Sequence, residues 1–382
     1  MRILHTSDWH IGRSFHGYST LEALGEVLTA LVDQVRELRV DVVVVAGDVF
    51  DTATPAAAAF GVLDETLLAI HEAGARVVMT SGNHDSAARL GFHARLLRDG
   101  IHVLTDPADV GRPVTIDDEH GPVHFFGIPY LEPAIVRARW PEAGLRTQAQ
   151  TMAHAMDLVR DGMATNPGRS VAAAHCFAAG VQATDGLERE VRQGGLDVVP
   201  LSAFDGPDYV ALGHIHGRQQ LSERVRYSGA PLHYSFSEEH KERGSWLVEL
   251  GPNGFVSAEW IALPIPRRVV TLRGTLEEIL AAPDIHAEDW VRAVYTDPVP
   301  QHEPMRRIRE RFPYCAQVVH EPAGGASTTQ TSYAARLRES VSDSERIDAF
   351  LAHVRAGEGA SEHEATLISE ILDERTRAEA NV

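Results

Sequence analysis

Polar residues with metal-binding side chains follow five apolar stretches of this chain, each at the point where the stretch ends. Apolar runs of this kind predict buried strands, so the polar residues should meet at one edge of a sheet sandwich. Burying Asp, Asn and His costs free energy unless they bind something. Carboxylate, amide and imidazole groups in one place are typical of a two-metal site. The residues concerned are Asp8, His10, Asp48, Asn83, His84, His175, His214 and His216.

The spacing inside the motifs favours this interpretation. Asp8-x-His10 and Gly47-Asp48 are common patterns, and each is weak evidence alone. Gly82-Asn83-His84-Asp85 is rarer, and in His214-x-His216 the two imidazoles face the same side of an extended segment. Because all the motifs occur together at predicted strand ends, they favour a metal site over a purely structural role.

The composition is that of an ordinary globular chain with an acidic balance. The 382 residues are 44% hydrophobic, which suits two or three domains, and no apolar run could span a membrane. Two cysteines and an N-terminus that enters a strand at once predict a cytoplasmic protein without disulfides or signal peptide. The net charge of -19 argues against coating nucleic acid by bulk charge. A nuclease remains possible, since bound divalent cations invert the local field.

Alternating strands and helices are predicted for residues 1 to about 260. The predicted strands of this part are 41–46, 123–128, 170–175 and 208–212, and the predicted helices are 20–38, 55–71, 87–97 and 147–163. Thr20 is the expected N-cap of the first helix. Segments 225–228, 244–250 and 255–261 are expected to close this region as one antiparallel set.

The sequence predicts four regions, with a boundary at Pro264-Ile265-Pro266. These are a metal-site domain (1–263), a small α+β unit (264–322), a linker rich in small polar residues (323–342) and a helical tail (343–382). Ser361 and Glu364 fit a capping box in the tail. Its apolar stripe either docks on its own domain or binds a partner as a helical hairpin.

The motif set resembles the calcineurin-like metallophosphoesterase superfamily. The opening Met1–Gly12 segment and Gly47-Asp48-Val49-Phe50-Asp51-Thr52 resemble more narrowly the SbcD family, the nuclease subunits of bacterial SbcC–SbcD complexes. The resemblance extends over nearly the whole chain, although the tail matches only by layout. It implies an α/β (α+β) fold, with a β-sandwich flanked by helices, a small α+β capping domain that binds DNA and a C-terminal helical hairpin.

The resemblance also implies residue roles. One metal ion would be held by Asp8, His10, Asp48 and His216, and the other by Asp48, Asn83, His175 and His214. The absence of a thiolate ligand favours Mn²⁺, with Mg²⁺ or Fe²⁺ open. His84 would act as general acid or charge stabiliser at the leaving oxygen. Related phosphoesterases place a partner of this histidine at the position of Asp51, but archaeal relatives carry histidine there. Asp51 is therefore either a partner of His84 or a helix-capping or turn residue.

The implied function is DNA phosphodiester hydrolysis by a water activated by two metal ions, in repair, recombination and replication. Members of the family are double-strand exonucleases and single-strand or hairpin endonucleases gated by the ATPase SbcC. This chain has no Gly-x-x-x-x-Gly-Lys-Ser/Thr loop, so the ATP site would belong to SbcC, bound by the C-terminal helices. A homodimer within a heterotetramer is also implied.

Two rival functions stay open from the sequence. One is a different phosphatase or phosphodiesterase, although Gly47-Asp48-Val49-Phe50-Asp51-Thr52 lacks the Arg-Gly that a protein phosphatase should show. The other is a scaffold that bridges an ATPase and DNA, against which the complete ligand set weighs. Contacts with DNA are also open for Tyr130 and for the basic run 306–311, while packing is favoured for Trp9, Phe15 and His16.

Overall fold

The computed structural model describes residues 1–97, 100–180, 198–322, 342–354 and 359–379. The chain divides into two compact units, Met1–Val269 and Val270–Val382. In the described part, no helix is both long and apolar enough to cross a membrane. Most of the predicted linker 323–342 lies outside the described residues.

The first unit alternates strands and helices, as its apolar periodicity indicates. In chain order these are β1 (Arg2–Thr6), β2 (Ser14–Phe15), β3 (Tyr18–Ser19), α1 (Leu21–Glu37), β4 (Val42–Ala46), α2 (Ala57–Glu72), β5 (Arg76–Thr80), α3 (Ala87–Leu90), β6 (Ile101–Leu104), β7 (Val114–Asp118), β8 (Gly121–Ile128), α4 (Pro133–Val136), α5 (Gln148–Thr165), β9 (Arg169–His175), β10 (Tyr209–Gly213), β11 (Gln219–Gln220), β12 (Val225–Tyr227), β13 (Gly244–Gly251) and β14 (Gly254–Ala262).

Two six-stranded sheets form the centre of this unit. The first sheet has the order β14-β13-β1-β4-β5-β6 and the second β11-β12-β10-β9-β8-β7. In the first sheet β1, β4, β5 and β6 run parallel, and in the second β8, β9, β10 and β12 do. Antiparallel strands complete the edges. The carboxyl ends of the parallel strands therefore collect at one edge of each sheet.

Successive side chains of β4 point into two different cores, one on each face of the first sheet. Val43 and Val45 pack into the core beneath α1 and α2, while Val42 and Val44 pack into the core between the two sheets. A third core lies between the second sheet and α5. A parallel strand buried on both faces needs such a continuous apolar sequence. The predicted β-sandwich flanked by helices is confirmed.

Two helix predictions need correction in detail. Thr20 occupies the N-cap position of α1, but its hydroxyl donates to the carbonyl of Arg13 at 2.7 Å and does not cap the helix. The helix predicted over 87–97 ends as α3 at Leu90. A short 3₁₀ turn follows at Ala94–Leu96, after His93 adopts a left-handed φ of 63°. That backbone conformation interrupts helical hydrogen bonding.

The expected closing antiparallel set was wrong for one of its three segments. β13 and β14 form the predicted hairpin, but β12 pairs parallel to β10 in the other sheet. Val225 and Tyr227 pack into the core between the second sheet and α5, which holds β12 there. Sequence alternation alone could not distinguish these two neighbouring sheets.

The second unit contains the small α+β fold predicted for 264–322. Its elements are β15 (Val269–Gly274), α6 (Leu276–Leu280), β16 (Trp290–Tyr295), α7 (Pro304–Arg311), β17 (Cys315–His320), α8 (Asp343–Val354) and α9 (Glu362–Glu379). β15, β16 and β17 form a three-stranded sheet in that order. Ser361 and Glu364 make the predicted capping box before α9, with backbone-to-side-chain distances of 2.9 and 3.3 Å.

The basic run on α7 makes contacts within its own unit. Arg306 pairs with Glu303 at 2.7 Å, while Arg309 and Arg311 donate to backbone carbonyls at 3.0 Å. The ion pair neutralises the charge of Arg306, and the two hydrogen bonds hold the side chains of Arg309 and Arg311 against the backbone. The structure thus supports the interpretation of this run as a helix face more than as a phosphate-binding surface.

Candidate metal centre

The ends of five parallel strands bring the eight polar residues together. Asp8 and His10 follow β1, Asp48 follows β4, and Asn83 follows β5 in the first sheet. In the second sheet His175 ends β9, and the His214–His216 segment follows β10. We call these eight residues the strand-end cluster; its members are Asp8, His10, Asp48, Asn83, His84, His175, His214 and His216.

One side of the strand-end cluster is buried and the other is open. Asp8, His10 and His175 have no solvent-accessible surface, and Asp48 retains 2%. The rest of the cluster is exposed or partly exposed, and consists of Asn83, His84, His214 and His216. A ligand can therefore enter from the open side and meet carboxylates and imidazoles at the base.

The backbone is strained where it presents these side chains. Asp8, His10, Asp48 and His214 all have positive φ angles, of 53°, 46°, 49° and 105°. Non-glycine residues seldom adopt this region, and such strain is usually found at functional sites. Gly213 permits the close approach of the two sheets, because a Cβ there would collide with the carbonyl of Ala46.

Asp48 lies at the midpoint of the strand-end cluster. Its Oδ2 atom is 3.6 Å from His10 Nε2 and 3.3 Å from His175 Nε2. Its Oδ1 atom accepts a hydrogen bond from the backbone N–H of His84 at 2.8 Å. Burial alone would raise the pKa of this carboxyl, but His175 and His10 hold it well below its usual range. Asp48 is therefore an anion that faces both groups of imidazoles.

Acceptor atoms crowd together on the His175 side of the cluster. His175 Nδ1 donates to the carbonyl of Ala46 at 2.9 Å, and its Nε2 faces Asn83 Oδ1 at 3.0 Å. The same Asn83 oxygen is 3.1 Å from His214 Nδ1. Burial lowers the pKa of His175 but Asp48 outweighs it and raises the pKa to about 9. Positive charge is thus stabilised at this point.

A similar arrangement occurs on the His10 side. His216 Nδ1 donates to Glu238 Oε1 at 3.0 Å, which turns its Nε2 toward His10 Nε2 at 3.1 Å. Among the described residues His10 Nδ1 has no hydrogen-bond partner, and the Asp51 carboxylate lies 3.4 Å away. Burial lowers the pKa of His10, which keeps it in the neutral form that a metal ion requires.

These residues fit divalent metal ions. A cation beside the Asp48 carboxylate would be within reach of the Nε2 atoms of His10 and His175 and would offset the negative charge of that carboxylate. The donors are imidazole, carboxylate and amide groups, which suit Mn²⁺, Mg²⁺ or Fe²⁺ better than a thiolate-seeking metal. In the part of the chain that the structure describes, three groups have ligand atoms within 4.8 Å of one another, namely Asp8–His10–His216, His10–Asp48–His84 and Asp8–Asp48–His175.

His84 is held by the backbone of Asp51, where the carboxylate was expected. Its Nδ1 is 2.8 Å from the Asp51 carbonyl oxygen and 3.9 Å from the carboxylate. Because a carbonyl only accepts, Nδ1 carries the proton and the tautomer is fixed. The Asp51 carboxylate instead pairs with Arg13 at 3.2 Å and faces His10.

Sequence reasoning missed Glu238 and Arg243, which hold His216 in place. Glu238 is 5% exposed, and its Oε2 accepts from Arg243 at 2.6 Å and from the Tyr234 N–H at 2.9 Å. Arg243 also donates to the carbonyl of His216 at 2.5 Å. Burial alone would raise the pKa of Glu238, but Arg243 and His216 lower it to about 2. Both residues lie between strands, without any motif to mark them.

Asp85 and the aromatic residues after β1 have structural roles. The Asp85 carboxylate accepts three backbone N–H groups, from Val49, Phe50 and Gly82, and so joins the loops after β4 and β5. Trp9 and Phe15 have at most 1% of their surface exposed, which confirms the packing role favoured for them. His16 remains exposed, with its ring against Phe15 and Phe236.

Replacing Glu238 with alanine should weaken metal binding about 10–100-fold, the usual effect of losing the carboxylate that orients a ligating histidine. It should also destabilise the fold by about 3–5 kcal/mol, because buried Arg243 loses its counter-charge. Calorimetric Mn²⁺ titration and urea unfolding in EDTA measure these effects. Glu242→Ala, at an exposed ion pair with Arg218, is the matched control. Wild-type metal affinity in a folded Glu238→Ala protein would contradict this role.

Two family models match successive parts of this chain. Residues 1–218 match the family model for calcineurin-like phosphoesterases, which is the class that a double sheet with this metal-ligand cluster defines. Residues 265–355 match a model described as the type 5 capsule protein repressor C-terminal domain. The crystal structure of TT1561 from Thermus thermophilus aligns with a TM-score of 0.38 at 12% identity, over 68% of this chain and 98% of that one.

Two relatives specify the family further. The SbcD subunit of nuclease SbcCD from Escherichia coli K12 is 32% identical over 306 residues, covering 76% of this chain and 74% of the relative. The protein of the same name from Staphylococcus epidermidis is 27% identical over 283 residues, covering 73% and 74%. The chain therefore belongs to the SbcD family of calcineurin-like phosphoesterases.

Proposed function

We propose that this chain is the nuclease subunit of a DNA-processing complex and hydrolyses DNA phosphodiester bonds in a metal-dependent reaction. The relatives, named as nuclease subunits, support the reaction class. The observation that carries the proposal is the position of Asp48, whose Oδ2 faces His10 at 3.6 Å and His175 at 3.3 Å. A carboxylate between two imidazole sets is suited to bridge two cations.

The ligand sets of this proposal follow the two sides of the strand-end cluster. They are Asp8, His10, Asp48 and His216 for one ion, and Asp48, Asn83, His175 and His214 for the other. The chemistry that such a pair supplies is a hydroxide near neutral pH and neutralised phosphate charge. Mn²⁺ is our preferred ion, with Mg²⁺ as the alternative, since Cys176 packs into the core and offers no thiolate.

His84 is the proposed general acid. Its ring is 37% exposed on the open side of the cluster, edge-on to His10 with 4.7 Å between ring centroids. With Nδ1 bound to the Asp51 carbonyl, Nε2 is the atom free to exchange a proton with substrate. Protonated at Nε2, the imidazole donates to the leaving oxygen as the phosphodiester bond breaks. Asp51 acts through its carbonyl as a positioning residue.

The partner in this proposal is the ATPase SbcC, whose ATP cycle would gate double-strand exonuclease and hairpin endonuclease activity. The relatives are named as the SbcD subunit of nuclease SbcCD. Helices α8 and α9 contact each other and expose Phe350, Leu367 and Ile371 by 49%, 43% and 64%. These apolar side chains suit a helical partner. We assign residues 1–263 to a nuclease domain and residues 264–322 to a capping domain that binds DNA. Residues 323–342 are assigned to a linker and residues 343–382 to a helical tail that binds SbcC.

Cleavage of a labelled linear duplex and a labelled hairpin tests this function directly. The chain is assayed with Mn²⁺, with and without SbcC and ATP. We expect duplex cleavage that needs metal, SbcC and ATP together, and that stops on addition of EDTA. Hydrolysis of a small chromogenic phosphodiester without DNA cleavage under any condition would contradict the nuclease function and favour a general phosphoesterase.

A homodimer within a heterotetramer completes the proposed assembly. Phe60 and Leu68 on α2 are 43% and 38% exposed, and Phe92 and Leu96 after α3 are 70% and 77% exposed. Arg89 at the end of α3 donates to the carbonyl of Ala53 at 2.5 Å, which links α3 to the loop before α2. Large apolar side chains that stay exposed on two linked segments are candidates for an interface between proteins.

Replacing Phe92 and Leu96 together with glutamate should convert the dimer to a monomer, because buried charges at an apolar interface are costly. Light scattering after size exclusion measures the mass, with a halved value expected. Val256→Glu, at another apolar side chain that is 61% exposed, is the control and should remain dimeric. A wild-type chain that is monomeric at micromolar concentration would contradict this assembly.

A further inference from the structure

A pocket beside the strand-end cluster is not used by the chemistry described so far. Its volume is about 340 Å³, and its wall includes Tyr130, Glu132, Pro133, Arg137, Leu145 and Arg146. The lower limit for small-molecule sites is about 300 Å³. The pocket is thus large enough to hold a group the size of one nucleotide.

Tyr130 joins this pocket to the metal centre. Its ring stands edge-on to His175, with 6.4 Å between ring centroids. Its backbone N–H donates to the carbonyl of Ser81 at 2.8 Å, directly before the segment that presents Asn83 and His84. A strand whose phosphate lies at the metal centre would therefore have a flanking nucleotide at this pocket.

The charges at the pocket wall point to an anionic ligand. Arg137 and Arg146 are exposed, and neither forms an ion pair with a carboxylate among the described residues. The wall holds two arginines and one acid, Glu132, so in a chain of net charge -19 it carries a net positive charge close to the metal centre, which suits a phosphate group.

We propose that this pocket binds a nucleotide that flanks the scissile phosphate of a DNA strand, which rests on the nuclease function proposed above. Arg137 and Arg146 contact the backbone phosphate, since guanidinium groups match phosphate oxygens in geometry and charge. Tyr130 contacts the base or sugar, because aromatic rings stack on any base without selecting its sequence. The pocket thereby holds polymeric substrates in preference to small phosphate esters.

The test compares an Arg137→Ala/Arg146→Ala double variant with wild type in the complete complex with SbcC, ATP and Mn²⁺. Both are assayed on labelled DNA and on bis(p-nitrophenyl) phosphate over a range of salt concentrations. Each phosphate contact contributes about 0.7–0.9 to the slope of log affinity against log salt. We expect the slope of log(kcat/KM) on DNA to fall by about 1.4–1.8. At physiological salt, the double variant should lose at least about tenfold more kcat/KM on DNA than on the small ester.

Two further variants separate the effect of this pocket from a general effect of removing arginines. Arg36→Ala/Arg112→Ala removes two exposed arginines that pair with acids elsewhere, and it should cleave DNA within about twofold of wild type. Arg137→Lys/Arg146→Lys keeps the charge and should restore most of the salt slope. Equal losses on both substrates, or an unchanged slope and KM on DNA, would overturn this inference alone. Wild-type complex that cleaves the small ester and no DNA would overturn the nuclease proposal, and this inference with it.

Discussion

Replacing Asp48 with asparagine should abolish paired metal binding and lower DNA cleavage by at least about 10³-fold. Asparagine preserves the shape of the side chain but removes the negative charge that lies between His10 and His175. Loss of one strong electrostatic contact in an active site already costs about 10²–10³-fold. Here the loss would affect both ions together, because a bridging ligand belongs to both sets. Metal analysis and calorimetric Mn²⁺ titration measure the binding, and the duplex assay measures the rate.

The control for Asp48→Asn is a measurement of whether the variant is still folded. Thermal unfolding in EDTA separates loss of metal from loss of structure, since Asp48 also accepts the N–H of His84 at 2.8 Å and asparagine can still accept it. We therefore expect a folded protein without metal affinity. An Asp48→Asn protein that binds two ions as tightly as wild type would contradict the bridging role.

Replacing His84 with alanine should leave both ions bound and reduce kcat on DNA by about 10²–10⁴-fold, the range for a lost general acid. His84 belongs to neither proposed ligand set and faces the open side of the cluster. On bis(p-nitrophenyl) phosphate the loss should be smaller, because nitrophenolate leaves without needing a proton. This difference between substrates separates proton donation from simple charge stabilisation, which would affect both alike.

Metal analysis of the purified variant completes the His84 experiment. His120→Ala removes an exposed histidine far from the cluster in sequence and serves as control, with unchanged metal content and activity. If His84→Ala lost both ions, His84 would be a ligand and the assignment as general acid would be wrong.

The sequence was sufficient to predict the gathering of the strand-end cluster, for a reason that lies in sheet geometry. Apolar runs such as 42–46 are long enough to be buried on both faces, and parallel strands place their carboxyl ends at one edge. A polar residue directly after such a run must therefore lie at that edge of the sheet. Asp48, His175 and the other six residues therefore lie together in the structure.

What the sequence could not provide was the support behind these residues. Glu238 and Arg243 are distant in sequence from Asp8 and His10, and they reach His216 through an irregular segment between β12 and β13. No periodicity marks such a contact. The sequence also could not show which atom of Asp51 faces His84. The loop turns the Asp51 carbonyl toward His84 and the carboxylate toward Arg13.

The placement of β12 shows a second limit. Its residues are apolar enough for either sheet, and only packing against the core beneath α5 selects the second. Competing positions of similar burial are decided by tertiary contacts that local sequence does not encode.

Anomalous diffraction from crystals grown with Mn²⁺ would test the binuclear centre most directly. We expect two manganese peaks roughly 3.5–4 Å apart, with the Asp48 carboxylate between them, and neither peak in crystals of Asp48→Asn. A single peak, or two peaks that do not share Asp48, would contradict a two-metal centre built on the ends of these strands.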